Sequence, residues 1–439
     1  MVDLWHSLSA PLQDSLLLIA LLAPLGLLGW ITIAGFSPLP LVRAILWRFR
    51  WANALFVSLI AVSVGLGVGI LAQERGLRVG TATAADKFDL IIAAPGSELT
   101  MLMAAVYLQP SNVGLVDGQV YTRIAEDPLV DLAAPLAFGD SYKGAPVIGT
   151  ISEFVAHLSG TLAEGEIWQT YDHAVIGADV PLSIGEKFEP AHGFGFAVQE
   201  GVHGHQLTVM GVMQPTGSPW DRAILVPIEA VWETHGMFTG HAPEDNDHTD
   251  RFGPPFDADF FPGTPAVVVR AQSLAAAYTL QSTFARDGET MAFFPGAVLA
   301  GLYNVMGDVR QAMSLMASVT QILVAASVLM GLFILSQLFQ RQMALLQALG
   351  APRRFVLSVV WLYATVLTIA GALFGLVVGF VSALVLSEVV SDRTGINVTA
   401  QIGWGEVHLI AAFVLGVSVL SLVPGIAVLR RDIATSLRS

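Results

Sequence analysis

The chain has 439 residues, 54% of them hydrophobic and only 13% charged, with a mean hydropathy of +0.65. Soluble chains carry about 25% charged residues, so this composition describes a membrane protein with a water-soluble part. The net charge of −14 argues against a broad nucleic-acid surface, and the absence of cysteine excludes disulfides, thiolate metal sites and a cysteine nucleophile.

A helix needs about 20 apolar residues to cross the hydrocarbon core. Five stretches free of Asp, Glu, Lys and Arg meet that requirement: 16–34, 51–73, 311–340, 355–387 and 407–429. The first lacks the positive n-region of a signal peptide, because Asp3 and Asp14 precede it without any Lys or Arg. It therefore reads as a retained span, with Pro24 and Gly26 as tolerated kinks. Whether it crosses decides between four and five spans. Arginines gather at 43, 48 and 50, again at 341, 353 and 354, and in the tail at 430, 431 and 438, against the single acid Asp432. By the positive-inside rule these three segments are cytoplasmic, which puts 74–310 on the other side.

Within 74–310, short apolar runs bounded by Gly, Pro or Asp predict strands at 88–94, 145–151, 174–176, 206–212, 223–227 and 266–270. Helical periodicity appears at 99–108, 227–233 and, behind a Ser cap, 273–286. The mixture without strict alternation reads as α+β. The stretch 236–264, rich in Gly, Pro, Asp and His, reads as a long loop.

Motifs for chemistry are missing. The chain has no G-x-x-x-x-G-K-[ST], no H-E-x-x-H and no G-x-S-x-G, so it reads as a non-enzyme. His192, His203, His205, His235, His241 and His248 cluster with Asp245, Asp247 and Asp250. His203, His205, His241 and His248 are the candidate zinc ligands, although their spacing matches no compact ligand set and a solvated polar loop accounts for them better. Gly371, Gly375 and Gly379 recur on one helical face and suit close packing in lipid, with Gly65, Gly67 and Gly69 thinning another span. The spans hold no Asp, Glu, Lys or Arg to mark an ion or proton path.

In the basic loop 340–354, Met343, Leu345, Leu346 and Leu349 form an apolar stripe on a short helix. Gly350 suits its C-terminal cap and Pro352 ends it. Such a helix either lies on lipid or fits a groove on a partner.

This segment, QRQMALLQALGAPRRFVL, resembles the coupling loop of the MacB/FtsX-like ABC transporter permeases, the type VII or mechanotransmission class. FDLIIAAPGS at 88–97, 107–114, VIGADV at 175–180 with Ile184 and Gly185, LTVMGV at 207–212, PTGSPWDR at 215–222, VPIE at 226–229 and the closing pattern at 424–437 follow in the family's order. The resemblance implies an α-helical transmembrane bundle with a large α+β, MacB-like periplasmic domain between the second and third spans. Its parts are an extra span and basic loop at 1–50, a span at 51–73, the periplasmic domain at 74–310 and a three-span FtsX-like domain at 311–439.

It further implies a homodimer in the bacterial inner membrane, among lipids, paired with a separate ABC ATPase that binds the ATP. Arg341, Leu345, Leu346, Leu349, Arg353 and Arg354 would contact that ATPase. The spans 51–73 and 311–340 would carry motion to the periplasmic domain and to a protein or lipoprotein there. The alternative is a non-transporting signalling or scaffold permease, and part of the branch is associated with zinc homeostasis. Two features depart from the pattern: the extra stretch 16–34, and Gln342 where an acidic residue is common.

Overall fold

The computed structural model describes residues 7–109, 111–193, 206–242, 252–338 and 345–429. The chain divides into a helical unit (Met1–Leu77, Gly307–Ser387, Thr399–Ser439) and an α+β unit (Arg78–Met306, Glu388–Val398). It opens with α1 (Ala10–Ile33), which accommodates Pro24 internally, and α2 (Leu39–Arg48), within the segment read as a basic loop. Next comes α3 (Arg50–Ala85). Its 36 residues run past Gln73, because the charges at Glu74, Arg75 and Arg78 bound the apolar stretch without ending the helix.

The α+β unit follows as β1 (Leu90–Ala93), α4 (Glu98–Ala105), α5 (Gly118–Ala125), β2 (Val130–Tyr142), β3 (Ala145–Thr150), α6 (Ser152–Ser159), β4 (Glu164–Gly165) and β5 (His173–Ile176). It continues with β6 (Lys187–Phe188), β7 (Ala191–His192), β8 (Leu207–Val212), β9 (Ile224–Pro227), α7 (Ile228–Thr234), β10 (Ala266–Ala271), α8 (Leu274–Ala285) and β11 (Met291–Phe293). One mixed sheet runs β11-β1-β10-β2-β3-β9-β5-β8-β4, with β3–β9 and β5–β8 parallel. Ser97, Asp117 and Ser273 cap α4, α5 and α8 by accepting a backbone N–H. The core holds Leu90, Ile91, Ile92, Phe154, Trp220 and Trp232, all fully buried.

The remaining helices are α9 (Pro295–Leu338), α10 (Arg353–Thr394), α11 (Trp404–Leu420) and α12 (Leu422–Leu429). Among the described residues, three helices are long and apolar enough to cross a membrane, namely α1, α3 and α10. The third and fifth expected stretches are shorter as apolar helix: Ser318–Gly331 within α9, and α11. The stretch 407–429 is thus not one helix. It breaks at Ser421, and Pro424, with no amide hydrogen, cannot donate back to Leu420 across the break.

In the helical unit, α3 and α10 meet along glycines. A Cβ on Gly371 would lie 2.6 Å from Ile60 Cβ, one on Gly375 2.8 Å from Val64 Cβ, and one on Gly379 2.5 Å from the Gly65 carbonyl. Around that seam Val42, Ile60, Val64, Val68, Val359, Leu367, Phe413 and Val417 form the apolar core. Trp361 donates to the Ser418 carbonyl and Tyr363 to the Asn53 side chain, satisfying polar groups that lipid could not.

Candidate functional site

The first candidate is the short turn before α10. Residues 345–348 are helical, and the Ala351 N–H donates to the Leu346 carbonyl at 2.9 Å while the Gly350 N–H donates to Gln347 at 3.0 Å. This pair of bonds is a Schellman closure, and Gly350 supplies its left-handed residue with φ +97°. Pro352 then accepts the Phe355 N–H as α10 begins. Leu346 packs on the apolar core of the helical unit, whereas Leu345 is 49% and Leu349 84% exposed. The turn therefore presents two leucines outward and anchors itself by the third.

The two described arginines of the turn differ. Arg353 is exposed. Arg354 is also exposed but donates to the Ile31 carbonyl at the end of α1, and its guanidinium lies 5.9 Å from the Phe36 ring. A cation on the carbonyl end of a helix is favourable, so Arg354 braces α1. Gly29 lies against Trp361, and His408 bonds the Asp14 carbonyl at 2.9 Å, so α1 is docked at both ends in the helical unit. Arg341 lies outside the described residues.

A second feature, missed in the sequence, is an ion pair in the helical unit. Arg75 of α3 donates through both terminal nitrogens to Glu406 of α11, at 2.8 and 3.0 Å, and also to the Gln401 carbonyl at 2.9 Å. Glu406 is fully buried and accepts the Gly403 N–H at 2.9 Å, which caps α11. Gly403 leaves room for the guanidinium, since a Cβ there would come within 2.5 Å of the Arg75 guanidinium carbon and press it off this seat. Both charges lie just outside charge-free stretches. The pairing, across more than 300 residues, carries no local signal.

The third feature belongs to the α+β unit. The loop 215–222 is organised by Asp221, which accepts the Thr216 N–H, the Thr216 hydroxyl and the Gly217 N–H, each at 2.7 Å. Trp220 is its buried anchor, edge-on to Phe154 at 5.4 Å. Arg222 leaves this loop to donate to the Asp392 and Ser391 carbonyls at the end of α10, at 2.5 and 3.2 Å. Burial in the same unit pushes the Tyr171 hydroxyl up to about 12, helped by the negative charge of Glu229 and Glu233.

Of the expected metal ligands, His203, His205 and His248 lie outside the described residues. His241 is buried, with Nε2 3.7 Å from Oε1 of the buried Glu229. Among the described residues, no group of three or more His, Cys, Asp or Glu is arranged to hold a metal ion.

Residues 315–432 match the family model described as FtsX-like permease C-terminal. The match takes in the latter part of α9, the 345–351 turn and α10 to α12, and leaves 78–306 outside. No curated protein matches the chain. The match supports the MacB/FtsX-like ABC permease family, and together with the apolar helices it points to a membrane protein. That family is normally non-enzymatic and works with an ABC ATPase.

Proposed function

We propose that this chain is the membrane subunit of an ABC system in which a separate ATPase drives motion of the α+β unit against cargo in the envelope. The observation that carries the reading is the turn itself: Leu345 and Leu349 stand exposed on a rigidly capped helix, directly before an uninterrupted helix of 42 residues. Exposed leucines beside a basic residue suit a groove on a soluble subunit better than water. At 1.5 Å per residue α10 is about 63 Å long, roughly twice the hydrocarbon thickness. Displacement at its first turn reaches residues 388–394, which belong to the α+β unit. The charge-free apolar stretches offer no hydrophilic path, which supports mechanical work over conduction. The basic segments support a cytoplasmic turn and an α+β unit on the opposite face of the inner membrane. The subunit acts as a pair, each copy with its ATPase.

The absence of native cysteine makes the test direct. Single cysteines introduced at Gln347 and Lys143 should react with an impermeant maleimide from opposite faces of the membrane. Leu349→Asp should abolish co-purification with the ATPase while the protein still folds. Labelling of both cysteines from one face, or undiminished co-purification of Leu349→Asp, would overturn the reading.

A further inference from the structure

We propose that Arg222 is a latch through which the α+β unit grips the end of α10, so that α10 transmits load together with the two helices flanking that unit. The inference rests on the permease reading above and adds a route and a positioning residue to it.

Four observations carry it. The last four carbonyls of a helix lack partners within the helix and bear partial negative charge. Arg222 supplies a cation to two of them, on Asp392 and on Ser391, which also accepts the Gly395 N–H at 2.9 Å, and its Nη2 lies 3.9 Å from the Asp392 carboxylate. The chain after the helix is held as well: the Asn397 N–H donates to the Gly217 carbonyl at 3.2 Å, and the Val398 N–H to the Ser391 hydroxyl at 2.9 Å. Gly395, at φ +70°, reverses the chain so closely against the loop that a Cβ would sit 3.1 Å from Pro219 Cα. Finally, the loop cannot yield easily, because Asp221 and Trp220 fix it from within. A helix end needs only water or a local cap. Here it receives a charged side chain from a rigid loop 169 residues away in sequence.

The chemistry separates a latch from a simple cap. A cap protects the helix end and nothing more, whereas a latch must also pass motion. The experiment uses the full chain with its ATPase in lipid nanodiscs, reading amide hydrogen exchange at 388–398, ATP turnover, and ATP-dependent change in exchange across 78–306. Arg222→Gln should speed exchange at 391–398 about tenfold or more, the scale of a lost charged hydrogen bond. It should leave ATP turnover in place while the ATP-dependent change across 78–306 falls, and Arg222→Lys should retain part of both.

A Cβ on Gly217 would lie 3.6 Å from the Asn397 Cβ, within disulfide range of about 3.5–4.5 Å. A Gly217→Cys, Asn397→Cys disulfide should therefore restore the response in the Arg222→Gln chain, and the same bridge beside intact Arg222 controls for strain at φ +70°. Unchanged exchange at 391–398 in Arg222→Gln overturns the latch, as does a bridge that restores protection without restoring the response. A wild-type chain showing no ATP-dependent exchange anywhere sinks the permease reading instead. Exchange in Arg222→Gln without ATP still reports on the grip itself.

Discussion

Arg75 and Arg222 hold neighbouring parts of the same stretch of chain in different ways. Arg75 meets a carboxylate that is wholly withdrawn from solvent, with both oxygens engaged. Arg222 meets backbone carbonyls at a helix end and is itself 39% exposed. Leaving a buried charge unpaired is expensive, while an exposed cation that loses a carbonyl finds water. The first contact is built as a permanent fastening and the second as one that exchanges with solvent. Position along the chain therefore says little about what each arginine contributes.

The sharpest way to break this comparison is Arg75→Ala, expected to cost about 3–5 kcal/mol because the fully buried Glu406 carboxylate is stranded. Thermal unfolding in detergent or nanodiscs measures it, and a loss as small as that of Arg222→Ala would erase the distinction. Gly379→Leu should follow at about 1–3 kcal/mol, by forcing a side chain into the backbone of α3. Asp221→Ala should cost a similar or smaller amount, about 1–3 kcal/mol, since Thr216 and Gly217 lose their acceptor. Its damage should appear at the Arg222 contact and leave the Arg75 contact intact, which exchange at 391–398 against 401–406 would show.

Alkaline titration gives a smaller effect confined to the α+β unit. The raised Tyr171 group binds its proton more tightly when folded, so its contribution is complete below the ordinary tyrosine range near 10. It is lost as pH rises through about 12. Tyrosinate absorbance of wild type against Tyr171→Phe should differ in that window. Smallest in stability is Leu349→Asp, within about 0.5 kcal/mol, because the side chain is already in solvent.

The strands were the most readable part of the sequence. β3, β8, β9 and β10 coincide with apolar runs bounded by Gly, Pro or Asp, to within a residue or two. β2, the longest strand, escaped because VDLAAPLAFGDSY is short of β-branched residues and contains Pro135 and Gly139. Its burial comes from neighbours on both sides, which no local pattern records. Helix limits were misjudged for another reason. Charge marks where lipid could end, but α3 continues through Glu74, Arg75 and Arg78 because Glu and Arg are good helix formers, and α9 likewise runs through Asp308 and Arg310. The turn at 345–351 was legible down to Gly350, since a cap is local chemistry. The partners of Arg75, Arg222 and Arg354 were not, because each lies far away in the sequence.

The seam between α3 and α10 has a thermal consequence. Lipid offers no hydrophobic force to bring helices together, and most contacts between side chains sacrifice rotamer freedom when they form. Glycine has no rotamers to surrender. Backbone lying on backbone at Gly65, Gly375 and Gly379 should therefore keep its cohesion on warming, and the leucine-rich flanks of the bundle should loosen before it does.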